Sequence, residues 1–334
     1  MKKYLYIAIA AATLASCSQD EVMEMSQEAI VFSNAFVGNS SRAAAKDNSY
    51  GSNTDNGNTA LTSFQVWGSV KSTGTTPVDV EVFKDVTVGG QVGEGSTWTT
   101  QGVTQYWIAG ATYSFAAVVN ADDKDASADK YESNVTLGTN LLPASITYTA
   151  DGTKDLLFAD KLSVTSAVGK VEMNFSHLLS KVKFSAVNET NDPNYKFNIK
   201  NIFIKNAYGT GIYYAQKVES NNAGTWAGTG TFETEFNNIE NVAYGNEVFE
   251  CALEKLLIPG DFSTSGLSVE YDFEWVYKGN VISTSDHKTA LAKVNLEAGK
   301  AYNFQIKASI NNPIQFTVTA APSWTNVDTP VTVQ

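Results

Sequence analysis

The chain has 334 residues, 43% of them hydrophobic and 17% charged, with a formal net charge of −12. That length allows two domains of ordinary size, each with its own core. The acidic balance offers no evident basic patch to neutralise phosphates, which argues against nucleic acid and anionic membrane surfaces as partners.

In chain order, Met1-Lys2-Lys3 is a short basic segment, and Leu5 to Leu14 is an apolar run too short to span a bilayer. The pattern predicts a signal peptide over residues 1–16 and not a membrane helix. It ends in Leu14-Ala15-Ser16-Cys17, a bacterial lipobox in which the Cys17 sulfur takes a diacylglycerol and becomes the new N-terminus. Two or three acyl chains on one residue make a stable membrane anchor. Cys251 is the only other cysteine, so the mature body has no intrachain disulfide and a lone buried thiol is expected.

Asp20, Glu21, Glu24 and Glu28 form an acidic tether, followed by Ala29 to Val37, where Ile30, Phe32 and Phe36 read as the inward face of a half-buried strand. Arg42, next to Ala43, is the single arginine among 23 basic residues. A protease specific for arginine would cut here alone, and residues 17–42 would leave as a lipidated propeptide carrying a removable strand. Removal of 1–42 takes away three bases and four acids and leaves a net charge of −11. Losing a strand after folding opens a hydrophobic groove that another strand must fill, so the arrangement points to assembly by strand addition. The alternative is that a lysine-biased sequence retains one arginine at a random loop position. Residues 43 to 60, rich in Ala, Ser, Asn and Gly, have the composition of an accessible cleavage site.

Strands follow at Ser63 to Val70, Val78 to Val88, Thr112 to Asn120, Ser145 to Ala150, Lys181 to Asn188, Phe197 to Asn206, Leu267 to Lys278 and Tyr302 to Ile310. No long amphipathic helix intervenes. Lys278-Gly279-Asn280 and Asn311-Asn312-Pro313 mark two hairpins. Short alternating strands at this spacing predict antiparallel β-sandwiches. A polar connection between Ala159 and Gly169 divides the chain into an N-terminal domain, 43–165, and a C-terminal domain, 166–334, expected to touch end to end. No fixed-period repeat is evident within either half.

The candidates for chemistry are few. His177 and His287 lie far apart and lack Cys or Glu partners at metal spacing, so His177 reads as a structural histidine and His287 as a surface one. No Gly-x-Ser-x-Gly elbow or P-loop is present. Asn120-Ala121-Asp122-Asp123-Lys124-Asp125 lacks the glycine and closing glutamate of a calcium loop and reads as a solvated turn. Tyr106-Trp107, Tyr213-Tyr214, Trp226 and Trp275 could stack on sugar rings, although core packing is their commoner role. No catalytic group, metal or cofactor is assigned.

After Trp324 the tail alternates, with Val327, Thr329, Val331 and Val333 on one face and Asp328, Pro330, Thr332 and Gln334 on the other. At about 3.3 Å per residue it is long enough to run along a neighbouring sandwich as a donor strand. Pro330 must sit where its nitrogen needs no ladder partner. The other reading is an ordinary last edge strand of its own domain.

These landmarks, taken in order, resemble the fimbrillin family of Bacteroides-type (type V) pilins and their Mfa-like relatives. They comprise the lipobox at Cys17, the Arg42-Ala43 junction, Tyr106-Trp107 leading to Tyr113-Ser114-Phe115, Asp155-Leu156-Leu157-Phe158-Ala159, and Phe175-Ser176-His177-Leu178-Leu179-Ser180-Lys181-Val182. Leu256-Leu257-Ile258-Pro259-Gly260, Leu296-Glu297-Ala298-Gly299-Lys300-Ala301-Tyr302 and Trp324 complete the series. The acidic tether likewise resembles the signals that send lipoproteins to the cell surface in this bacterial group. The resemblance implies an all-β fold of two transthyretin-like antiparallel β-sandwich domains in tandem, export as a lipoprotein, and cleavage after Arg42 by an arginine-specific surface protease. It further implies polymerisation with other pilin subunits, in a homopolymer or a mixed fibre, through Val327 to Val333. Such a head-to-tail contact does not close on itself and builds a filament that serves adhesion. Two alternatives remain: a surface lipoprotein that anchors or tips a fimbria, or one that binds glycan, without polymerising.

Overall fold

The computed structural model describes residues 28–37, 49–50, 59–72, 75–90, 97–120, 134–165, 169–218 and 221–321. Cys17, Arg42, Ala43, the Asn120–Asp125 turn beyond Asn120, Trp324 and the tail face Val327, Thr329, Val331 and Val333 lie outside the described residues. The protein is all-β, with no helix among the described residues.

The first half contributes β1 (Phe32–Val37), β2 (Ser49–Tyr50), β3 (Thr59–Ala60), β4 (Ser63–Lys71), β5 (Asp79–Gly89), β6 (Thr97–Thr100), β7 (Thr112–Asn120), β8 (Val135–Leu137), β9 (Pro143–Thr149), β10 (Leu156–Thr165) and β11 (Val171–His177). The second contributes β12 (Ser180–Asn188), β13 (Tyr195–Ala207), β14 (Thr210–Tyr214), β15 (Thr225–Thr229), β16 (Phe232–Phe236), β17 (Ile239–Val242), β18 (Val248–Glu250) and β19 (Lys255–Leu257). It ends with β20 (Gly260–Asp261), β21 (Leu267–Tyr277), β22 (Asn280–Ala292), β23 (Asn295–Leu296), β24 (Ala301–Ser309) and β25 (Asn312–Ala321).

The second half is a two-sheet sandwich. One sheet runs β18-β12-β24-β25 and the other β16-β13-β21-β22. Alternation along β13 and β24 turns Phe197, Ile199, Ile204, Phe304 and Ile306 inward onto a core that includes Phe184 and Phe273. Asn188, fully buried, ties the rim: its amide donates to the carbonyls of Tyr195 and Val242, each at 3.1 Å, and its Oδ1 accepts from the Thr190 N–H at 3.0 Å. Between β21 and β22, Lys278 and Gly279 both take positive φ (47° and 83°), the geometry of a two-residue type I′ hairpin. Pro313 falls in β25, an edge strand, where its missing N–H costs no ladder bond.

The first half closes into a barrel, in the order β1-β11-β10-β7-β4-β5-β6, where two open sheets were expected. The reason lies in β1, which bonds to β6 on one side and β11 on the other and so joins the two edges of what is otherwise an open sheet.

The division expected at 165/166 is crossed by this barrel, since β11 is one of its staves. Within the polar run after Ala159, Asp160 to Ser163 are an exposed stretch of β10, which continues to Thr165. Nor do the halves merely abut. Strand β9 pairs with β14 across five residues to make a sheet β15-β14-β9-β8 shared by both. Beneath it lies a common core of Trp67, Val118, Ile146, Leu156, Leu179 and Leu256, among others. The crossover Leu178-Leu179-Ser180 is bonded into both halves. The Leu178 N–H donates to Leu156 O, the Leu178 carbonyl accepts the Trp226 indole N–H, and the Ser180 hydroxyl donates to Glu297 O, all at 2.8–2.9 Å.

A repeated device appears in the two halves. Gly110-Ala111-Thr112-Tyr113-Ser114-Phe115 and Gly299-Lys300-Ala301-Tyr302-Asn303-Phe304 share the pattern Gly-x-x-Tyr-x-Phe. Both glycines take φ near +70° to +75°, which costs an L side chain dearly. Each tyrosine hydroxyl accepts an N–H five residues upstream (Ile108 to Tyr113, Glu297 to Tyr302, both 2.8 Å). Each then donates to a carbonyl seven residues upstream, Tyr106 O at 3.4 Å and Asn295 O at 2.9 Å. Burial pushes the Tyr302 phenol up to about 12 and raises that of Tyr113. A phenol harder to ionise when folded contributes stability that is whole below pH 10 and is lost as the pH climbs towards 12. Tyr302→Phe should therefore flatten the alkaline decline of unfolding free energy over pH 10–12, measured by denaturant titration at each pH.

Candidate functional site

The site is the groove in which β1 lies. Ala29 bridges Tyr106, the Ile30 N–H donates to Gln105 O at 2.8 Å, and the Trp107 N–H donates to Glu28 O at 3.0 Å. Further along, Phe32 and Ser33 pair antiparallel with Trp98 and Thr97 of β6. On its other side β1 runs parallel to β11, with Phe32 opposite Val171, Ser33 opposite Glu172, Phe36 opposite Asn174 and Val37 opposite Phe175. The register shifts between Ser33 and Phe36, marking a bulge. The Val171 N–H adds a 2.9 Å bond to Val31 O. Both edges of β1 are thus engaged through backbone groups, a form of recognition that any extended segment can satisfy.

Side chains supply the selectivity. Phe32 is fully buried and Ile30 is 2% exposed. The Phe32 ring meets Phe115 at 5.7 Å and Phe64 at 5.8 Å, both edge to face, and Phe83 at 6.1 Å. These partners stand on β7, β4 and β5, so the single side chain packs against the opposite wall of the barrel. Gly68 makes room for this cluster: a Cβ there would come 2.9 Å from the Phe115 ring. Trp98 and Phe175 line the floor beside Phe64. At one end Lys170 Nζ donates to Thr97 Oγ1 at 2.6 Å, crossing from the start of β11 to β6. Of the three residues expected on the inward face, Ile30 and Phe32 lie in this core; Phe36 is described in its backbone alone.

The other candidates occupy structural positions. His177 Nδ1 lies 2.7 Å from Oδ2 of the fully buried Asp155, at the junction of the two halves. His287 is exposed with φ +53°, and its backbone N–H donates to Asp272 Oδ1 at 2.8 Å. Cys251 is buried, its thiol donates to Asn237 O at 3.3 Å, and burial pushes its pKa up. Among the described residues no group of three His, Cys, Asp or Glu could hold a metal ion. Trp107 stacks edge-on to Tyr113 at 4.8 Å, and Trp226 packs on Tyr213 at 5.6 Å. Trp275 lies against Phe273 at 5.3 Å. These rings serve packing, and only Tyr106 of the set stands well exposed. What the sequence reading lacked was the partner of β1: no local pattern tells that Trp98, Gln105 and Val171 converge on it.

No curated protein matches the chain. Among solved structures it is similar to a fimbrial protein of Bacteroides vulgatus, at 15% identity and TM-score 0.56, covering 78% of this chain and 93% of that one. It is also similar to a candidate cell adhesion protein of Bacteroides uniformis, at 14% identity and TM-score 0.50, covering 90% of this chain and 98% of the other. At such identities the likeness speaks for the fold alone. The fimbrillin-like family matches residues 51–324, most of the sequence and all of the described body beyond β3's approach, and the chain belongs to that family.

Proposed function

We propose that this chain is a structural, non-enzymatic subunit of a cell-surface fimbria that serves adhesion. In this reading residues 1–16 direct export, Cys17 carries the lipid that holds the precursor in the outer membrane, and an arginine-specific surface protease cuts between Arg42 and Ala43. The strand within 17–42 then leaves, and the C-terminal segment of another subunit takes its place. The face Val327, Thr329, Val331 and Val333 is the part this chain donates. Two transthyretin-like modules make up the body, the first running on through β11.

One observation carries the reading. Strand β1 is the stave that joins β6 to β11, with Phe32 at the centre of an aromatic core, and it is connected to the rest through a segment containing the single arginine. Its departure exposes two rows of backbone groups and an apolar trough, which only another strand can satisfy. A head-to-tail exchange of this kind propagates without closing. N-terminal sequencing of material released from the cell surface tests the proposal: Ala43 at the start supports it, and a lipidated Cys17 on assembled fibres overturns it.

Deleting Val327 to Gln334 should leave a folded, cleavable protein that cannot extend a fibre beyond its own position. Electron microscopy of cells making only the truncated chain would show the loss. Fibres of normal length would overturn the donor role.

A further inference from the structure

We infer that the groove vacated by β1 is shaped for a donor strand bulkier than this chain's own tail, so that the subunit accepts its strand from a different pilin and assembles in a mixed fibre. The inference rests on the strand-exchange reading above and adds the identity of the donor. The pocket under Phe32 has walls on three strands: Phe64 from β4, Phe83 from β5 and Phe115 from β7, with ring centroids 5.7–6.1 Å from the Phe32 ring. Strands β4 and β7 are held in register by an unbroken ladder, and β5 pairs with β4 on either side of an irregularity at Gly68, so the Phe64 and Phe115 walls resist closing in on a smaller guest. Two positions earlier, the Ile30 site is also sealed.

The tail has nothing of that size to offer in phase. Val327, Thr329, Val331 and Val333 alternate onto one face, and valine has less than half the side-chain carbons of phenylalanine. A threonine in the pocket would also bury a hydroxyl among aromatic rings. Trp324 is the one large side chain of the tail, but it falls on the opposite parity. A slip of one residue to bring it inward would carry Asn326, Asp328 and Pro330 into the core as well. The donor that fits has a large apolar residue, aromatic at the Phe32 position and branched aliphatic two residues before it.

The test uses detergent-solubilised full-length protein cut at Arg42, with release of the 17–42 fragment followed by mass spectrometry as synthetic strands are added. The strands are Glu28–Val37, the native tail Ser323–Gln334, and that tail carrying Val327→Phe, Thr329→Phe or Val331→Phe singly. Glu28–Val37 and at least one phenylalanine-bearing tail should displace the fragment at concentrations tenfold or more below the native tail, because an under-filled aromatic pocket leaves a cavity. If the native tail competes as well as the best of these, the inference is wrong while strand exchange stands. If no strand, including Glu28–Val37, displaces the fragment, strand exchange itself is wrong and the inference falls with it.

Discussion

Phe32→Ala is expected to destabilise the uncleaved chain by about 3–5 kcal/mol, the range for truncating a large core aromatic. The upper part of that range applies here for a geometric reason. Phe32 contacts Phe64, Phe83 and Phe115 on three different strands, and those strands are held by their own ladders, so the cavity cannot be filled by a small shift. The loss also loosens β1 as the stave between β6 and β11. Equilibrium unfolding in urea should show a lower midpoint with little change in slope. A loss below about 1 kcal/mol would mean that β1 adds little to the barrel. The same substitution should leave assembled fibres as stable as before, since in the proposed fibre Phe32 has departed with the propeptide. Fibres weakened to the same extent would indicate that β1 stays in place.

Arg42→Ala should abolish assembly altogether, with lipidated, monomeric protein accumulating at the cell surface. The effect is all-or-none because the remaining 22 basic residues are lysines, which leave an arginine-specific protease nowhere else to cut. Arg42→Lys sharpens the result. Guanidinium and ammonium differ in shape and in the number of donors they present, so a pocket built for the first rejects the second. Both variants should fail if the processing enzyme demands arginine, whereas rescue by lysine would assign the cut to a protease of broader taste. Immunoblotting of membrane and released fractions, together with microscopy, separates these outcomes. Normal fibres from Arg42→Ala would end the processing reading.

Much of the architecture was legible in the residues. Strands β4, β7, β13, β21 and β24 fall within one or two residues of their expected bounds, because β13 and β21 alternate along most of their length and β4, buried on both faces, is a short run of β-branched and aromatic residues. The Lys278-Gly279 turn announced its hairpin for the same local reason. The strands that escaped notice have weaker patterns. The full extent of β22, 13 residues nearly all exposed, shows no apolar alternation to read. Strand β14 carries Tyr213 inward and Tyr214 outward, and without its neighbours the pair reads as core or as a surface for sugar rings, with core the commoner role. The Gly-x-x-Tyr-x-Phe device was visible in principle by laying one half of the sequence over the other. It passed unseen because each copy alone is short, and its meaning resides in hydrogen bonds to carbonyls in the preceding loop.

The barrel runs past the division read at 165/166 for a related reason. Polar residues between Ala159 and Gly169 suggested a linker, yet a stretch of strand facing solvent is polar for the same cause that a linker is. Only the pairing of β10 with β11, and of β11 with β1, shows that the barrel continues to His177. The buried Asp155–His177 pair and the shared sheet of β9 and β14 then place a third core where two separate bodies were expected.

The sequence by itself determined that this is an all-β protein, where its longer patterned strands lie, and that Arg42 follows the first of them. These are properties of neighbours in the chain, set by period-two patterning and by turn residues. Only the tertiary structure decided that β1 runs parallel to β11, that it closes a barrel, and that Phe32 sits among Phe64, Phe83 and Phe115. Strand partners are chosen by side chains far apart in the chain that must fill one common volume, and that complementarity has no local signature.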